Sequence, residues 1–258
     1  MQLISGAFHV IWLFRLANIN MGYKYLFFDL DNTLWDFDAN SKYTLQVLFD
    51  KYQLGAHFSD FETYFQLYSG NNAMLWQLYG AGKITKEALN QERFAYPLRS
   101  FKASLLHLAP LMEVDYLPLL AQQTRLKPHC LEVLEACKKR RYKMYIISNG
   151  FVEIQQLKLS RSGLLPYFDR CYFSEHIGAH KPARLFFDYA IQSSNAVKKQ
   201  SLVIGDNFEA DIFGAKNAGI DQVYYNPHPS ADPLPFAPTY QIADLRELLK
   251  IVDESFNR

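Results

Sequence analysis

The chain has 258 residues, with 27 Lys and Arg against 26 Asp and Glu and a formal net charge of +1. That balance gives no support to a nucleic-acid polymer or an acidic partner, and no apolar run reaches the roughly 18 residues of a membrane span. Cys130, Cys137 and Cys171 are widely spaced and form no paired motif, which predicts buried thiols in a reducing, cytoplasmic setting.

The segment Ala7 to Phe14 is apolar and is followed by Arg15. It lacks the preceding basic residues and the small-residue cleavage site of a secretory signal. Residues 1–21 are therefore expected to be an extension dispensable for the fold, with Met21 directly before the first strand. That strand is Tyr25-Leu26-Phe27-Phe28, a continuous apolar run of the kind buried in parallel sheets. It ends in Asp29-Leu30-Asp31-Asn32-Thr33. Residues two apart on a strand share a side. Two like charges a few ångströms apart repel by ~1–4 kcal/mol, so a cation is expected beside Asp29 and Asp31.

The pattern then turns helical. Leu45, Leu48, Phe49 and Tyr52 lie on one helical face, with Asn40 or Ser41 as the expected N-cap. Ser59 and Glu62 read as a capping box for a helix broken at Ser69-Gly70-Asn71-Asn72. A further helix carries Met74 to Leu78. Thr85 caps the next, to about Arg93, and two more helical stretches fall at about 102–109 and 114–124. Phe65, Tyr68 and Trp76 are expected to form the core of this helical segment. Trp35 and Phe37 follow the first strand closely enough for one of them to touch a substrate. No strand is predicted from 40 to 124.

From Pro128, placed at a first helical position, strands and helices alternate. Strands are expected at 143–147, 171–173, 201–204 and 222–225. Helices are expected from Val152 to Gly163, from Lys181-Pro182 onward and from Glu209 to Gly219, with a strand end and a helix over 242–251. Alternating units imply a parallel sheet with helices on both faces. The expected architecture is α/β: a Rossmann-like doubly wound sheet formed by 22–36 and 125–258, with an inserted all-helical cap domain at 37–124.

Parallel strands bring their C-terminal ends to one edge. There the chain has Asp29 and Asp31, Ser148-Asn149-Gly150, Lys181, and Asp206 with Asp211 nearby. Oxygen-only carboxylates without His or Cys favour Mg²⁺. A cation and Lys181 would neutralise a phosphoryl group, and the N–H groups around Asn149-Gly150 can cradle its oxygens. Asp211 reads equally as part of the metal site or as an acid complementing a helix dipole. His176 and His180 are read as surface or packing residues.

In this order, Asp29-Leu30-Asp31-Asn32-Thr33, Ser148-Asn149, Lys181-Pro182 and Gly205-Asp206-Asn207-Phe208-Glu209-Ala210-Asp211 resemble the four motifs of the haloacid-dehalogenase (HAD) superfamily. Within the helical segment, Asn72 to Trp76 and Gly82 to Phe94 are similar to bacterial pyrimidine 5′-nucleotidases of the YjjG type. The resemblance implies that Asp29 is a nucleophile forming an aspartyl-phosphate, with Asp31 as acid and base. It implies Mg²⁺ held by Asp29, Asp206 and the Asp31 backbone carbonyl, with Asp211 behind them. Ser148, the Asn149 backbone and Lys181 would bind phosphoryl oxygens. Dehalogenases of the superfamily lack an acid at position 31. A small phosphomonoester is thus the implied substrate, foremost a pyrimidine nucleoside monophosphate. A sugar phosphate or phosphoglycolate is the alternative, followed by a phosphomutase or a binding module without turnover.

Overall fold

The computed structural model describes residues 22–229 and 233–255; the N-terminal extension lies outside the described residues. Six strands form one parallel sheet in the order β3-β2-β1-β4-β5-β6. They are β1 (Tyr25–Phe28), β2 (Lys143–Ser148), β3 (Arg170–Phe173), β4 (Ser201–Gly205), β5 (Asp221–Tyr225) and β6 (Tyr240–Ile242). Phe28 is in register with Ile146 on one side and Ile204 on the other, so β1 is central and its end faces both neighbours' ends.

The period of two along each strand builds two cores. Leu26, Phe28, Met144, Ile146, Leu202 and Ile204 face one side. They pack with α5 (Cys130–Lys139) through Val133, Leu134 and Cys137, and with α8 (Glu247–Glu254) through Leu248 and Val252. Phe27, Tyr145, Ile147 and Val203 face the other side, where α7 (Arg184–Ser193) supplies Phe186, Phe187 and Ala190. The helix α6 (Val152–Arg161) follows β2. Cys130 and Cys137 are buried free thiols, as expected, and burial pushes both up to about 12.

Between β1 and β2 the described residues hold no strand. The helices there are α1 (Phe37–Lys51), α2 (Phe61–Gly80), α3 (Lys86–Phe101) and α4 (Ala109–Leu120), with a 3₁₀ turn at Ala103–Leu108. Several boundaries differ from the sequence reading. Helix α1 begins earlier, because Asn40 and Ser41 bond sideways instead of capping. Asn40 Nδ2 donates to the Arg125 carbonyl at 2.9 Å, and the Ser41 and Tyr116 hydroxyls lie 2.9 Å apart. Asp60, not Ser59, caps α2, accepting from Thr63 N at 2.7 Å. The expected break at Ser69-Gly70-Asn71-Asn72 is absent. Asn71 and Asn72 face inward, and Asn71 Nδ2 donates to the Glu92 carbonyl of α3 at 3.0 Å. Packing thus overrides the turn propensity of those residues. Thr85 caps α3 as expected, but the helix continues through Pro97, carried by buried Phe94 and Leu98. Helix α5 starts at Cys130 after a left-handed His129, two residues later than Pro128 suggested.

The chain leaves and re-enters the sheet region at adjacent points. Asp36 N donates to the Arg125 carbonyl at 3.0 Å, and Lys127 N to the Leu34 carbonyl at 2.8 Å. No helix among the described residues is long and apolar enough to cross a membrane.

Candidate active site

Asp29 sits directly after β1, its N–H donating to the Ile204 carbonyl at 2.8 Å, which extends the sheet by one residue. The expected cation is Lys181. Its Nζ lies 2.7 Å from Asp29 Oδ1, 2.6 Å from Asp211 Oδ1 and 3.1 Å from the Ile147 carbonyl, fully buried among them. Asn149 sets this placement through its side chain. Its Oδ1 accepts from Lys181 N at 2.8 Å, and its Nδ2 donates to the Lys181 carbonyl at 2.9 Å. The β2 end thereby fixes the loop that carries the lysine.

Asp206 ends β4. Thr33 Oγ1 donates to Asp206 Oδ1 at 2.9 Å and accepts from Asp206 N at 3.1 Å, tying the first strand's loop to the fourth's. Oxygens of Asp29, Asp206 and Asp211 lie within 4.8 Å of one another, a group that could hold a metal ion. Gly205 permits this closeness, since a Cβ there would sit 2.3 Å from Asp211 Oδ2. The expected regular helix over 209–219 is instead a π-helical turn at Phe208–Phe213 followed by an α-helical turn at Gly214–Asn217. Asn207 caps it through Ala210 N at 2.8 Å, while Asp211 turns inward to Lys181 and accepts from Asn207 N at 3.1 Å. Such widened turns recur where a helical residue serves a site.

The electrostatics show a deficit of positive charge. Burial pushes Asp29 up to about 7; Lys181 opposes the shift and the Asp211 charge adds to it. Burial, with Asp29 and Asp211 beside it, also raises Asp206 well above the usual carboxylate range. Burial disfavours the Lys181 charge, but Asp211 and Asp29 outweigh it and hold the ammonium protonated. One lysine does not balance three carboxylates, two of them buried, and an all-oxygen donor set suits a hard divalent cation.

Asp31 is near this cluster, but its carboxylate is turned away. It accepts from Gln155 Nε2 and from Lys158 Nζ, each at 2.7 Å. Gln155 also donates to Ser148 Oγ at 2.7 Å, and Ser148 Oγ accepts from Gly150 N at 3.1 Å. Gly150 leaves room for this bridge, because a Cβ there would lie 2.4 Å from Gln155 Nε2. Lys158 is buried, with its Nζ 4.4 Å from the Trp35 ring and 5.3 Å from that of Phe37. Thr33, Gln155 and Lys158 were not singled out from the sequence. The available signal was two polar residues at i and i+3 on a helix that must bury one face. Trp35 is fully buried, its indole donating to the Gln123 carbonyl at 3.3 Å. His180 packs edge-on against Tyr79 at 4.9 Å, a packing role as expected.

A family model described as haloacid dehalogenase-like hydrolase matches residues 23–219. The pyrimidine 5′-nucleotidase PynA of Streptococcus pneumoniae is 34% identical over 91% of this chain and 97% of its own length. The pyrimidine 5′-nucleotidase YjjG of Escherichia coli is 33% identical over 90% of this chain and 99% of its own. The magnesium-bound crystal structure of YfnB from Bacillus subtilis superposes with a TM-score of 0.77 at 29% identity, covering 90% of this chain and 99% of that one. With the four motifs gathered at one sheet edge and this match over most of its length, the chain belongs to the haloacid dehalogenase-like hydrolases.

Proposed function

We propose that this hydrolase is a Mg²⁺-dependent phosphatase that works through an aspartyl-phosphate and acts on pyrimidine nucleoside 5′-monophosphates in the cytoplasm. The observation that carries the phosphatase reading is the division between the two carboxylates of one strand end. Asp29 lies inside the buried cluster with Lys181, whereas Asp31 is held outside it by Gln155 and Lys158. The likeness to PynA and YjjG supports the nucleotide substrate.

Asp29, Asp206 and the Asp31 backbone carbonyl would hold Mg²⁺, with Asp211 behind them. When bound, the ion supplies charge that offsets repulsion between an anionic nucleophile and an anionic substrate. Asp29 attacks phosphorus, and the bond from phosphorus to the ester oxygen breaks. Asp31 gives its proton to that oxygen. Asp31 then takes a proton from water as the water attacks phosphorus, and the bond to Asp29 breaks, releasing phosphate. Lys181, Ser148 and the N–H groups of the Asn149-Gly150 turn hold the phosphoryl oxygens, so the work is chiefly positioning and electrostatics.

The helices of 37–124 act as a cap domain over a core of 22–36 and 125–258. The paired crossings at Asp36–Arg125 and Leu34–Lys127 support that division. Lys86 of α3 bridges the segments, 2.8 Å from Glu153 and 2.9 Å from Glu175.

A panel of phosphomonoesters assayed for phosphate release with Mg²⁺ tests the reading. Pyrimidine nucleoside 5′-monophosphates are expected to lead in kcat/KM. A sugar phosphate or phosphoglycolate at the head of the panel would overturn the nucleotide assignment, and isomerised product without free phosphate would overturn the hydrolase step.

The buried carboxylates also predict a pH-dependent response to metal. A carboxyl whose proton affinity rises on folding makes the folded state bind more protons than the unfolded one. Stability of the metal-free protein should then fall as pH rises from about 4 through about 7, the window between the ordinary and the raised value for Asp29. Mg²⁺ replaces the missing charge, so its thermal-shift increment is expected to grow between roughly pH 5.5 and 7.5. An increment that stays flat over that range would count against a metal at Asp29.

A further inference from the structure

A cavity between the helical segment and the sheet domain is lined by Phe37, Asn72, Trp76, Arg93, Tyr116 and Phe151, among others. Its walls are largely aromatic: the Trp76 and Phe151 rings are 5.0 Å apart, and the Arg93 guanidinium lies 5.6 Å from the Tyr116 ring. Two polar atoms interrupt this surface. Asn72 Oδ1 and Arg93 Nε are buried without a hydrogen-bond partner among the described residues, in side chains of residues only 9% and 3% exposed. Arg93 Nη2 donates to Asn90 Oδ1 at 2.7 Å, and the adjacent Asn71 bonds the α3 backbone. A buried polar atom without a partner is costly, so a ligand that supplies one is favoured. One acceptor and one donor in an aromatic slot complement a flat heterocycle that carries an N–H and a carbonyl.

The cavity adjoins the leaving-group side of the site. Phe37, one of its walls, lies 5.3 Å from Lys158 Nζ, which donates to Asp31 at 2.7 Å. Phe151, another wall, directly follows the Ser148–Gly150 turn. Whatever is attached to the oxygen protonated by Asp31 is therefore directed here.

We propose that Asn72 and Arg93 set the leaving-group specificity by reading the edge of a pyrimidine base. Asn72 Oδ1 accepts from a base N–H, Arg93 Nε donates to a base carbonyl, and Trp76 and Phe151 flank the ring. The assignment rests on the nucleotidase reading above. The enclosed part of the cavity, about 30 Å³, has room for about one water. The base therefore enters with the helices displaced from the core, and the walls re-form around it. Trp76, expected from the sequence as core of the helical segment, lines this slot, whereas Tyr68 is buried against Phe94 and Tyr116 as expected.

The test compares uridine 5′-monophosphate, 3-methyluridine 5′-monophosphate, which lacks the ring N–H, and 4-nitrophenyl phosphate on the full-length enzyme. In the wild type, methylation is expected to lower kcat/KM at least tenfold. In Asn72→Leu, the ratio of kcat/KM for uridine monophosphate over 4-nitrophenyl phosphate is expected to fall at least tenfold, and methylation to cost less than twofold. Arg93→Gln should lower the same ratio. Equal turnover of the two uridine nucleotides by the wild type would overturn the inference alone, as would a methylation cost that persists in Asn72→Leu. A wild type that hydrolyses 4-nitrophenyl phosphate but no nucleoside monophosphate would overturn the nucleotidase reading with it. If Asn72→Leu does not fold, the wild-type comparison decides.

Discussion

Asp29→Asn is expected to lower kcat for phosphate release by about 10⁴-fold or more while the protein stays folded. The amide has the same shape but cannot attack phosphorus and retain a productive acyl-phosphate. The structural cost should be small for a reason specific to this site. Burial already pushes Asp29 up to about 7, with Asp211 and Asp31 adding to the shift against Lys181, so the folded protein tolerates a neutral group at that position. Lys181 keeps its ion pair with Asp211 at 2.6 Å. In metal-free buffer near neutral pH the variant should melt at or above the wild-type temperature, because one of three crowded carboxylates has lost its charge. Phosphate release measured with thermal melts separates the two effects. Near-wild-type turnover by Asp29→Asn would overturn the assignment of the nucleophile.

The second large effect belongs to Lys181. Lys181→Met leaves Asp29 and Asp211 buried without the ammonium that both contact. Breaking a buried ion pair from one side typically costs about 3–5 kcal/mol, because the remaining charge has neither water nor partner. Urea denaturation without metal should show a loss of that order, and Mg²⁺ should recover part of it by supplying charge to the same carboxylates. Combining Lys181→Met with Asp211→Asn should restore part of the loss, since the two groups act on each other directly. Additive losses in the double variant would show that the pair is not the source. Activity should fall in both, as the lysine is also the proposed contact to the transferring phosphoryl group. Lys181→Arg is not expected to rescue either property. Its larger planar fork does not fit a site where one Nζ meets two carboxylates and the Ile147 carbonyl.

The strands around the site were legible because short buried β-runs announce themselves. Tyr25 to Phe28, Lys143 to Ile147 and Ser201 to Ile204 are apolar runs ending in polar residues, and all three are parallel neighbours at the centre of the sheet. A strand end needs few residues to define it, and the parallel rule then brings the ends together without further information. Helix boundaries fared less well. Ser69 to Asn72 carry turn propensities, and Asn40 and Ser41 capping propensities, worth about 1–2 kcal/mol. Contacts across the helical segment, such as Asn71 to Glu92 and Asn40 to Arg125, outweighed them.

By itself, the sequence determined which residues reach the carboxyl edge of the sheet: Asp29, Asp31, Ser148, Asn149, Asp206 and Asp211 lie within a few residues of a strand end, and Lys181 is drawn to the same edge by the Asn149 side chain. Only the tertiary structure decided how they divide. It drew Asp29 and Asp211 onto one lysine with Asp206 beside them, and turned Asp31 toward Gln155 and Lys158, from a helix 124 to 127 residues away in sequence. It likewise brought Asn72 and Arg93, on two different helices, to one aromatic cavity beside the turn after β2. Local propensity has no reach over such separations. What places these groups is burial of the helices that carry them, and that is a property of the packed chain.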